Sequence, residues 1–290
     1  MLARGGTYDV QLDDGSVVEA TLRGRLKLER RTGDRVVAGD RVHVLGSVDD
    51  GSTIEAVDQR TSEIARRAPG RGDRRAKIIV ANIDQIAIVF AVARPHPNLH
   101  LLDRFLVLAE SNDLPALVIA NKIDLMEADA QSVFGIYVDL GYPVLYTSVE
   151  QHRGIEDLRT HLRNRITVFT GPSGVGKSSL LNAMQPGIGL RVAAQDDGRG
   201  RHTTVSARLV PLDVGGFVAD TPGLRELSLW DVDVDTLVHY FPEFRARQAQ
   251  CRFGNTCTHT HEPGCAVVSA LEAGEIVKSR YESYVSMRTD

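Results

Sequence analysis

Over the first ~68 residues, apolar positions alternate with polar ones in short runs. Tyr8, Val10 and Leu12 form one run, Leu22, Leu26 and Leu28 a looser one, and Val42 with Val44 another, while Ile54 and Val57 mark a further apolar stretch. A period of two puts one side of a strand in a core and the other in water. Asp13-Asp14-Gly15 and Asp49-Asp50-Gly51 separate such stretches, and this is hairpin chemistry because glycine adopts positive φ without steric cost. The pattern predicts about five short strands and a small closed β-barrel, with the OB-fold leading and an SH3-like barrel reading almost the same. The basic, Gly- and Pro-containing stretch Ala68 to Arg75 reads as a linker.

From Ile78 the pattern changes. Apolar runs at Ile78–Val80, Ile86–Val92, Ala116–Ala120, Val144–Tyr146 and Ile166–Phe169 read as buried parallel strands. Helical stretches lie between them, such as Leu99–Ser111, where Leu102, Phe105, Leu106 and Ala109 share a face. Alternating strands and helices predict an α/β domain. After Trp230 the strand signal stops, and residues 231–290 read as helical segments around a Cys- and His-rich knot.

Composition narrows this little: 42% hydrophobic and 25% charged residues are those of an ordinary globular protein. The longest apolar run, Ile86 to Ala93, is far short of the roughly 20 residues that cross a bilayer. With no secretory pattern at the start, a cytoplasmic location without membrane association is expected. A net charge of −4 supplies no global attraction to nucleic acid. Two local clusters could still hold phosphates: Arg23, Arg25, Lys27, Arg30, Arg31 and Arg35, and then Arg66, Arg67, Arg71, Arg74, Arg75 and Lys77. Solvated faces would carry the same charges.

Specific chemistry begins at Gly171-Pro172-Ser173-Gly174-Val175-Gly176-Lys177-Ser178, which matches G-x-x-x-x-G-K-[ST] at every fixed position. It follows an apolar strand and precedes the helical stretch Ser179–Met184. Glycines let successive backbone N–H groups turn inward around phosphates, and the helix N-terminus adds positive potential. Lys177 is expected to reach the outer phosphates and Ser178 to hold magnesium. This loop alone does not separate ATP from GTP.

The strand Ala116–Ala120 runs into Asn121-Lys122-Ile123-Asp124. At such a strand end, the Asp124 carboxylate can accept two hydrogen bonds from guanine N–H groups, a pair adenine lacks. Asn121 is expected to support the loop and the base edge, and the Lys122 stem to cover the ring. Thr147-Ser148 follows the next strand and resembles the weak motif whose backbone touches the base. Asp220-Thr221-Pro222-Gly223 follows Phe217–Ala219; Asp220 would reach magnesium through water and the Gly223 N–H would meet the γ-phosphate. Thr203 or Thr204 would close the magnesium shell. GTPases usually begin with the phosphate loop, yet here the guanine motif precedes it. The domain is therefore expected to be circularly permuted, which compact α/β folds tolerate because their termini often lie close together.

All three cysteines stand close together, Cys251, Cys257 and Cys265, with His259 and His261 among them. Three thiolates and one imidazole make a closed tetrahedral zinc site of the structural kind. Either histidine could serve.

Together these residues resemble the ribosome small subunit-dependent GTPase A family, bacterial GTPases that act in maturation of the small ribosomal subunit. The resemblance spans nearly the whole chain. It is carried by Ala81-Asn82-Ile83-Asp84-Gln85, Asn121–Asp124, Gly171–Ser178, Gly200-Arg201-His202-Thr203-Thr204, Asp220–Gly223 and the Cys/His knot. It implies an N-terminal OB-fold (1–68) that contacts ribosomal RNA, a permuted GTPase domain (69–230) and a mostly helical zinc-binding domain (231–290). It also implies hydrolysis of GTP to GDP accelerated by the subunit, and zinc on Cys251, Cys257, His259 and Cys265. Ras-like GTPases orient the attacking water with a Gln after Asp-x-x-Gly, but Leu224 stands here. Slow intrinsic hydrolysis is expected, with His202 as a candidate donor. A monomer is the expected state. The rival reading is a GTP-switched RNA-binding module serving another RNA or a translation factor.

Overall fold

The computed structural model describes residues 3–4, 6–24, 36–46, 51–67, 76–188, 207–220 and 232–289. The N-terminal strands are β1 (Ala3–Arg4), β2 (Thr7–Gln11), β3 (Val17–Leu22), β4 (Val42–Leu45) and β5 (Ser52–Val57). They form one five-stranded sheet in the order β1-β2-β3-β5-β4. Neighbours are antiparallel except β3 and β5, which run parallel with Ala20 opposite Ser52. Of the positions the pattern marks, Tyr8, Val10, Leu22 and Ile54 are buried in one cluster with Val18 and Ala20, and Leu12, Val42, Val44 and Val57 pack against it half-buried; Leu26 and Leu28 lie outside the described residues. Of the first basic cluster only Arg23 lies among the described residues, and it pairs with Glu55.

Strands β6 (Glu63–Arg67) and β7 (Ala76–Ala81) follow. They pair antiparallel with each other, Ile64 opposite Val80. The run Ile78–Val80 is thus a hairpin arm, not the parallel strand its apolarity predicts. A short apolar run reports burial, and nothing in it encodes the direction of its neighbour. Residues 68–75, with their basic side chains, lie outside the described residues.

The chain continues through β8 (Gln85–Ala91), α1 (Leu99–Ser111), β9 (Ala116–Asn121), α2 (Glu127–Asp139), β10 (Val144–Thr147), α3 (Ile155–Leu162), β11 (Arg165–Thr170) and α4 (Lys177–Met184). Next come β12 (Arg208–Pro211), β13 (Gly216–Asp220) and the helices α5 (Pro242–Arg245), α6 (Ala266–Glu272) and α7 (Lys278–Thr289). Among the described residues no helix is long and apolar enough to cross a membrane.

These elements collect into two compact units. One comprises Met1–Gln85, Leu158–Phe169 and Leu181–Leu227, the other Ile86–Asp157, Thr170–Leu180 and Ser228–Asp290. In the first, β13 pairs parallel with β11 and antiparallel with β12. In the second, β8, β9 and β10 pair in parallel. Every residue of β8 and β9 is buried, as befits strands covered on both faces.

The face of α1 is as its spacing predicts, with Leu102, Phe105, Leu106 and Ala109 buried. Asp103 is buried too. Its carboxylate meets Arg280 Nη1 of α7 at 2.7 Å and accepts hydrogen bonds from Tyr137 of α2, at 2.9 Å, and from Ser283. Arg280 also forks onto Glu243 of α5 at 2.8 and 3.2 Å and lies over the Phe241 ring at 4.5 Å. Burial drives the Asp103 carboxyl upward while the Arg280 charge and the hydrogen bonds pull against it. Around this network Phe241, Phe244 and Tyr284 pack ring on ring at 4.8–5.4 Å.

The side chains of Arg280 and Asp103 are each only 1% exposed, so deleting one partner leaves an uncompensated buried charge. Arg280→Ala is expected to lower unfolding stability by about 3–5 kcal/mol, read as a shifted midpoint in urea denaturation. A loss below ~1 kcal/mol would show that the network contributes little.

Candidate nucleotide site and metal centre

Strand β11 leads into the Gly171–Ser178 loop, and α4 begins at Lys177. Two of its glycines are required by space as well as by backbone angle. Gly171 has φ +132, and a Cβ there would lie 2.1 Å from the Val89 carbonyl oxygen. Gly176 has φ +96, and its Cβ would lie 2.5 Å from Asn121 Nδ2. Gly174, at φ +78, has only Pro95 Cδ at 3.8 Å, so the angle alone selects glycine there. Val175 is buried beneath the loop, while Ser173 and Ser179 are exposed and Pro172 and Ser178 half-buried. The Lys177 ammonium donates to the Gly171 and Pro172 carbonyls at 2.7 and 2.6 Å.

The guanine-type motif stands against this loop. Asn121 ends β9 fully buried; its Nδ2 donates to the Val175 carbonyl at 2.8 Å, and its Oδ1 accepts from Thr147 Oγ1 at 3.0 Å. Lys122 takes a left-handed φ of +63. That turn sends its ammonium to the carbonyls of Gly174, at 2.7 Å, and Arg94, at 2.5 Å. Asp124 follows in a half-buried 3-10 turn and accepts from Ser148 Oγ at 2.5 Å. A carboxylate offers about four lone-pair sites, so this bond fixes the side chain and leaves capacity for a ligand. Asn121, Lys122, Asp124, Thr147, Ser148 and the phosphate loop are thus one connected constellation.

Asp220 closes β13 opposite Arg208. His202, Thr203, Thr204 and Gly223 lie outside the described residues, as does Leu224.

The Cys/His knot forms a second centre. The ligand atoms of Cys251, Cys257, His259 and Cys265 all lie within 4.8 Å of one another, and all four residues are buried. His259 Nδ1 is 3.5 Å from Cys251 Sγ and 3.4 Å from Cys265 Sγ, and those sulfurs are 4.0 Å apart. Zinc–sulfur bonds of ~2.3 Å at tetrahedral angles put sulfurs about 3.8 Å apart, so four donors of this kind could hold zinc. Burial keeps the His259 imidazole neutral and raises the Cys257 thiol to about 12, a penalty that a bound cation reverses. His261 is exposed, its Nδ1 2.8 Å from Thr260 Oγ1. Glu262 accepts backbone N–H bonds from Thr258, Thr260 and His261 at 2.6, 3.1 and 3.2 Å. Burial opposes its charge, but these bonds hold its carboxyl well below the usual range.

Comparison with known proteins decides the family. The profile of the family described as RsgA GTPase matches residues 57–230. A relative from Gemmatimonas aurantiaca, named small ribosomal subunit biogenesis GTPase RsgA, is 47% identical over 99% of this chain and 94% of its own. This chain belongs to the RsgA GTPase family. It is accordingly a GTPase that binds guanine nucleotide. The fold agrees with YjeQ from Thermotoga maritima at a TM-score of 0.79 and 37% identity, covering 98% of this chain and 92% of that one. It agrees with YloQ, described as a circularly permuted GTPase, at 0.78 and 33%, covering 99% and 92%.

Within this RsgA-type site two features escape sequence reasoning. The ammonium of Lys122, expected to act through its stem, also ties Gly174 to Arg94. Asn121, expected to touch the base edge, has both ends of its amide engaged by the protein. Neither shows in the motif letters, because each contact is to a backbone carbonyl or a distant residue. Asn121→Ala removes two buried hydrogen bonds, each worth ~1–3 kcal/mol when a partner is left unsatisfied. If about half of that loss falls on binding, roughly 1–3 kcal/mol, guanine nucleotide affinity is expected to fall roughly 5- to 150-fold, measured by titration with a fluorescent GDP analogue. Unchanged affinity would mean that the loop holds its shape without this bracket.

Proposed function

We propose that this GTPase binds the small ribosomal subunit and its rRNA and hydrolyses GTP during late maturation of that subunit, in the cytoplasm and as a monomer. The observation that carries the reading is the match to a biogenesis GTPase over almost the entire chain. The five-stranded sheet is read as an OB-fold barrel that contacts RNA, a reading its Greek-key order with parallel β3 and β5 supports. The organisation proposed is the barrel in 1–68, the permuted GTPase domain in 69–230 and the zinc-binding domain in 231–290.

In this reading the two oxygens of Asp124 accept the paired N–H groups of guanine, with Ser148 holding the carboxylate in place. The backbone of Thr147 and Ser148 borders the base. Backbone N–H groups of Ser173–Lys177 cradle the phosphates, Lys177 moves its ammonium onto the outer two, and the first turn of α4 adds its positive end. The Ser178 hydroxyl, the Asp220 carboxylate and Thr203 or Thr204 are hard oxygen donors of the kind magnesium takes. When bound, magnesium neutralises charge developing between the outer phosphates. The Gly223 N–H meets the γ-phosphate, and His202 orients the attacking water, since Leu224 cannot. Zinc on Cys251, Cys257, His259 and Cys265 is structural, because four protein ligands leave no open position.

Two measurements test this. GTP turnover at fixed salt is expected to be slow for the protein alone, to rise strongly with purified small subunits and to stay low with large ones. No rise with small subunits would sink the ribosomal assignment, and equal binding without faster turnover would favour a nucleotide-switched RNA-binding module. Purified protein is also expected to carry about one zinc per chain, and Cys257→Ser to lose it. Retention by that variant would remove Cys257 from the ligand set.

A further inference from the structure

The string Ala81-Asn82-Ile83-Asp84-Gln85 has no part in the nucleotide site, yet it is dense in hydrogen bonds on both sides. Its front half grips the segment that leads into β4 and the segment between β5 and β6. The Ala81 N–H donates to the Ala38 carbonyl at 2.9 Å, and Asn82 Nδ2 donates to the Gly39 carbonyl at 2.9 Å. Asn82 Oδ1 accepts from the Thr61 N–H at 2.9 Å, and the Asn82 N–H donates to the Ser62 carbonyl at 2.8 Å. Ser62 Oγ donates to the Ile83 carbonyl at 2.6 Å. Gly39 approaches so closely that a Cβ would fall 1.9 Å from the Ala81 oxygen. Beside it the Asp40 carboxylate, fully buried, takes a two-point contact from Arg60 at 2.7 and 3.0 Å.

The rear half grips β11. Asp84 brackets Ile166, its N–H donating to the Ile166 carbonyl at 2.9 Å and its Oδ2 accepting from the Ile166 N–H at 2.7 Å. Gln85, 3% exposed, uses every polar atom of its amide. Nε2 donates to the His161 carbonyl and to Thr167 Oγ1, both at 2.9 Å, and Oε1 accepts from Arg165 Nη1 at 2.8 Å. Strand β11 then runs without interruption into the phosphate loop. Five consecutive residues therefore join the segments that flank β4 and β5 in the five-stranded sheet to the strand that feeds Gly171–Ser178. A flexible tether would need none of these bonds, since chain continuity alone keeps two parts together.

We propose that Asn82 is a positioning residue for GTP turnover: the Ala81–Gln85 string transmits displacement of the five-stranded sheet to β11 and so to the phosphate loop. The inference rests on the reading above in one respect, that the small subunit is what loads the sheet. Asn82→Ala cuts the string from Gly39 and Thr61 without touching any nucleotide contact, and Ser62→Ala removes one bond as a milder lesion.

The test compares wild type and both variants for GTP turnover alone and across a titration of small subunits. Coupling networks of this size are worth roughly 2- to 30-fold. Maximal stimulated turnover is expected to fall by that order in Asn82→Ala and by less in Ser62→Ala. Unstimulated turnover and the half-saturating subunit concentration should stay at wild-type values. Full stimulation in both variants overturns the proposal, and so does a parallel loss of unstimulated turnover or of subunit affinity, which would mark a merely structural role. Should Asn82→Ala fail to fold, as read by its thermal transition, Ser62→Ala decides by the same criteria. Coupling is also reciprocal, which gives a readout free of any subunit. A non-hydrolysable GTP analogue is expected to slow amide hydrogen exchange at 38–40 and 60–62 in wild type and not in Asn82→Ala. If wild type lacks subunit stimulation but shows this protection, the coupling stands and the ribosomal reading falls; if the analogue leaves wild-type exchange there unchanged, the coupling is wrong.

Discussion

A side-chain amide has one donor end and one acceptor end, and at Asn121 both are committed inside the nucleotide site. The donor holds the carbonyl of Val175 in the phosphate loop, and the acceptor holds the hydroxyl of Thr147 at the end of β10. The distance between the guanine-type motif and the Gly171–Ser178 loop is therefore set by one buried residue. The same residue dictates its neighbour: Gly176 is glycine partly because Asn121 occupies the place of a Cβ. Letters of two motifs far apart in the chain explain each other. Since these constraints act through space, the order in which the motifs are strung matters little, and a permuted chain can rebuild the site intact.

The C-terminal segment is held on different terms. Aromatic packing of Phe241, Phe244 and Tyr284 supplies apolar burial, but burial alone fixes no register. The Arg280 guanidinium does. It must meet Asp103 and Glu243 at once, with Phe241 beneath it, and a planar five-donor fork satisfies those partners in one orientation only. Removing three charges from water makes this an expensive way to gain stability, while the paired fork fixes where α7 meets α1.

Much of this was legible beforehand. Period-two alternation marked β2 and β4 of the N-terminal sheet while missing the register of β3, and helical spacing marked the buried face of α1. The motif letters marked which segments meet at the candidate nucleotide site, and the clustering of three cysteines marked the buried Cys/His cluster. What stayed hidden shares one cause. Asp103 looks like a solvated residue on a helix face because its partner lies far along the chain. Asn82 and Gln85 look like ordinary polar residues because their bonds go mostly to backbone carbonyls, which no side-chain pattern reports. The hairpin pairing of Ile78–Val80 was hidden similarly, since strand direction belongs to the neighbour and not to the run. Local rules reach local structure, while long-range polar pairing becomes visible only in coordinates.

The spacing between Asp103 and Arg280 also has a meaning in time. The two residues are 177 positions apart, and ribosomes add ~5–20 residues per second. A nascent chain therefore carries Asp103 for roughly 9–35 s before its cation is even synthesised. During that interval the Asp103 carboxylate lacks the cation that balances it in the finished fold, so burying it ionised costs more than it does once α7 exists. The unit that bears Asn121 and the phosphate loop is completed late, and an unfinished chain is poorly placed to capture nucleotide. For a protein proposed to act on ribosomes, the delay separates being made by one from working on another.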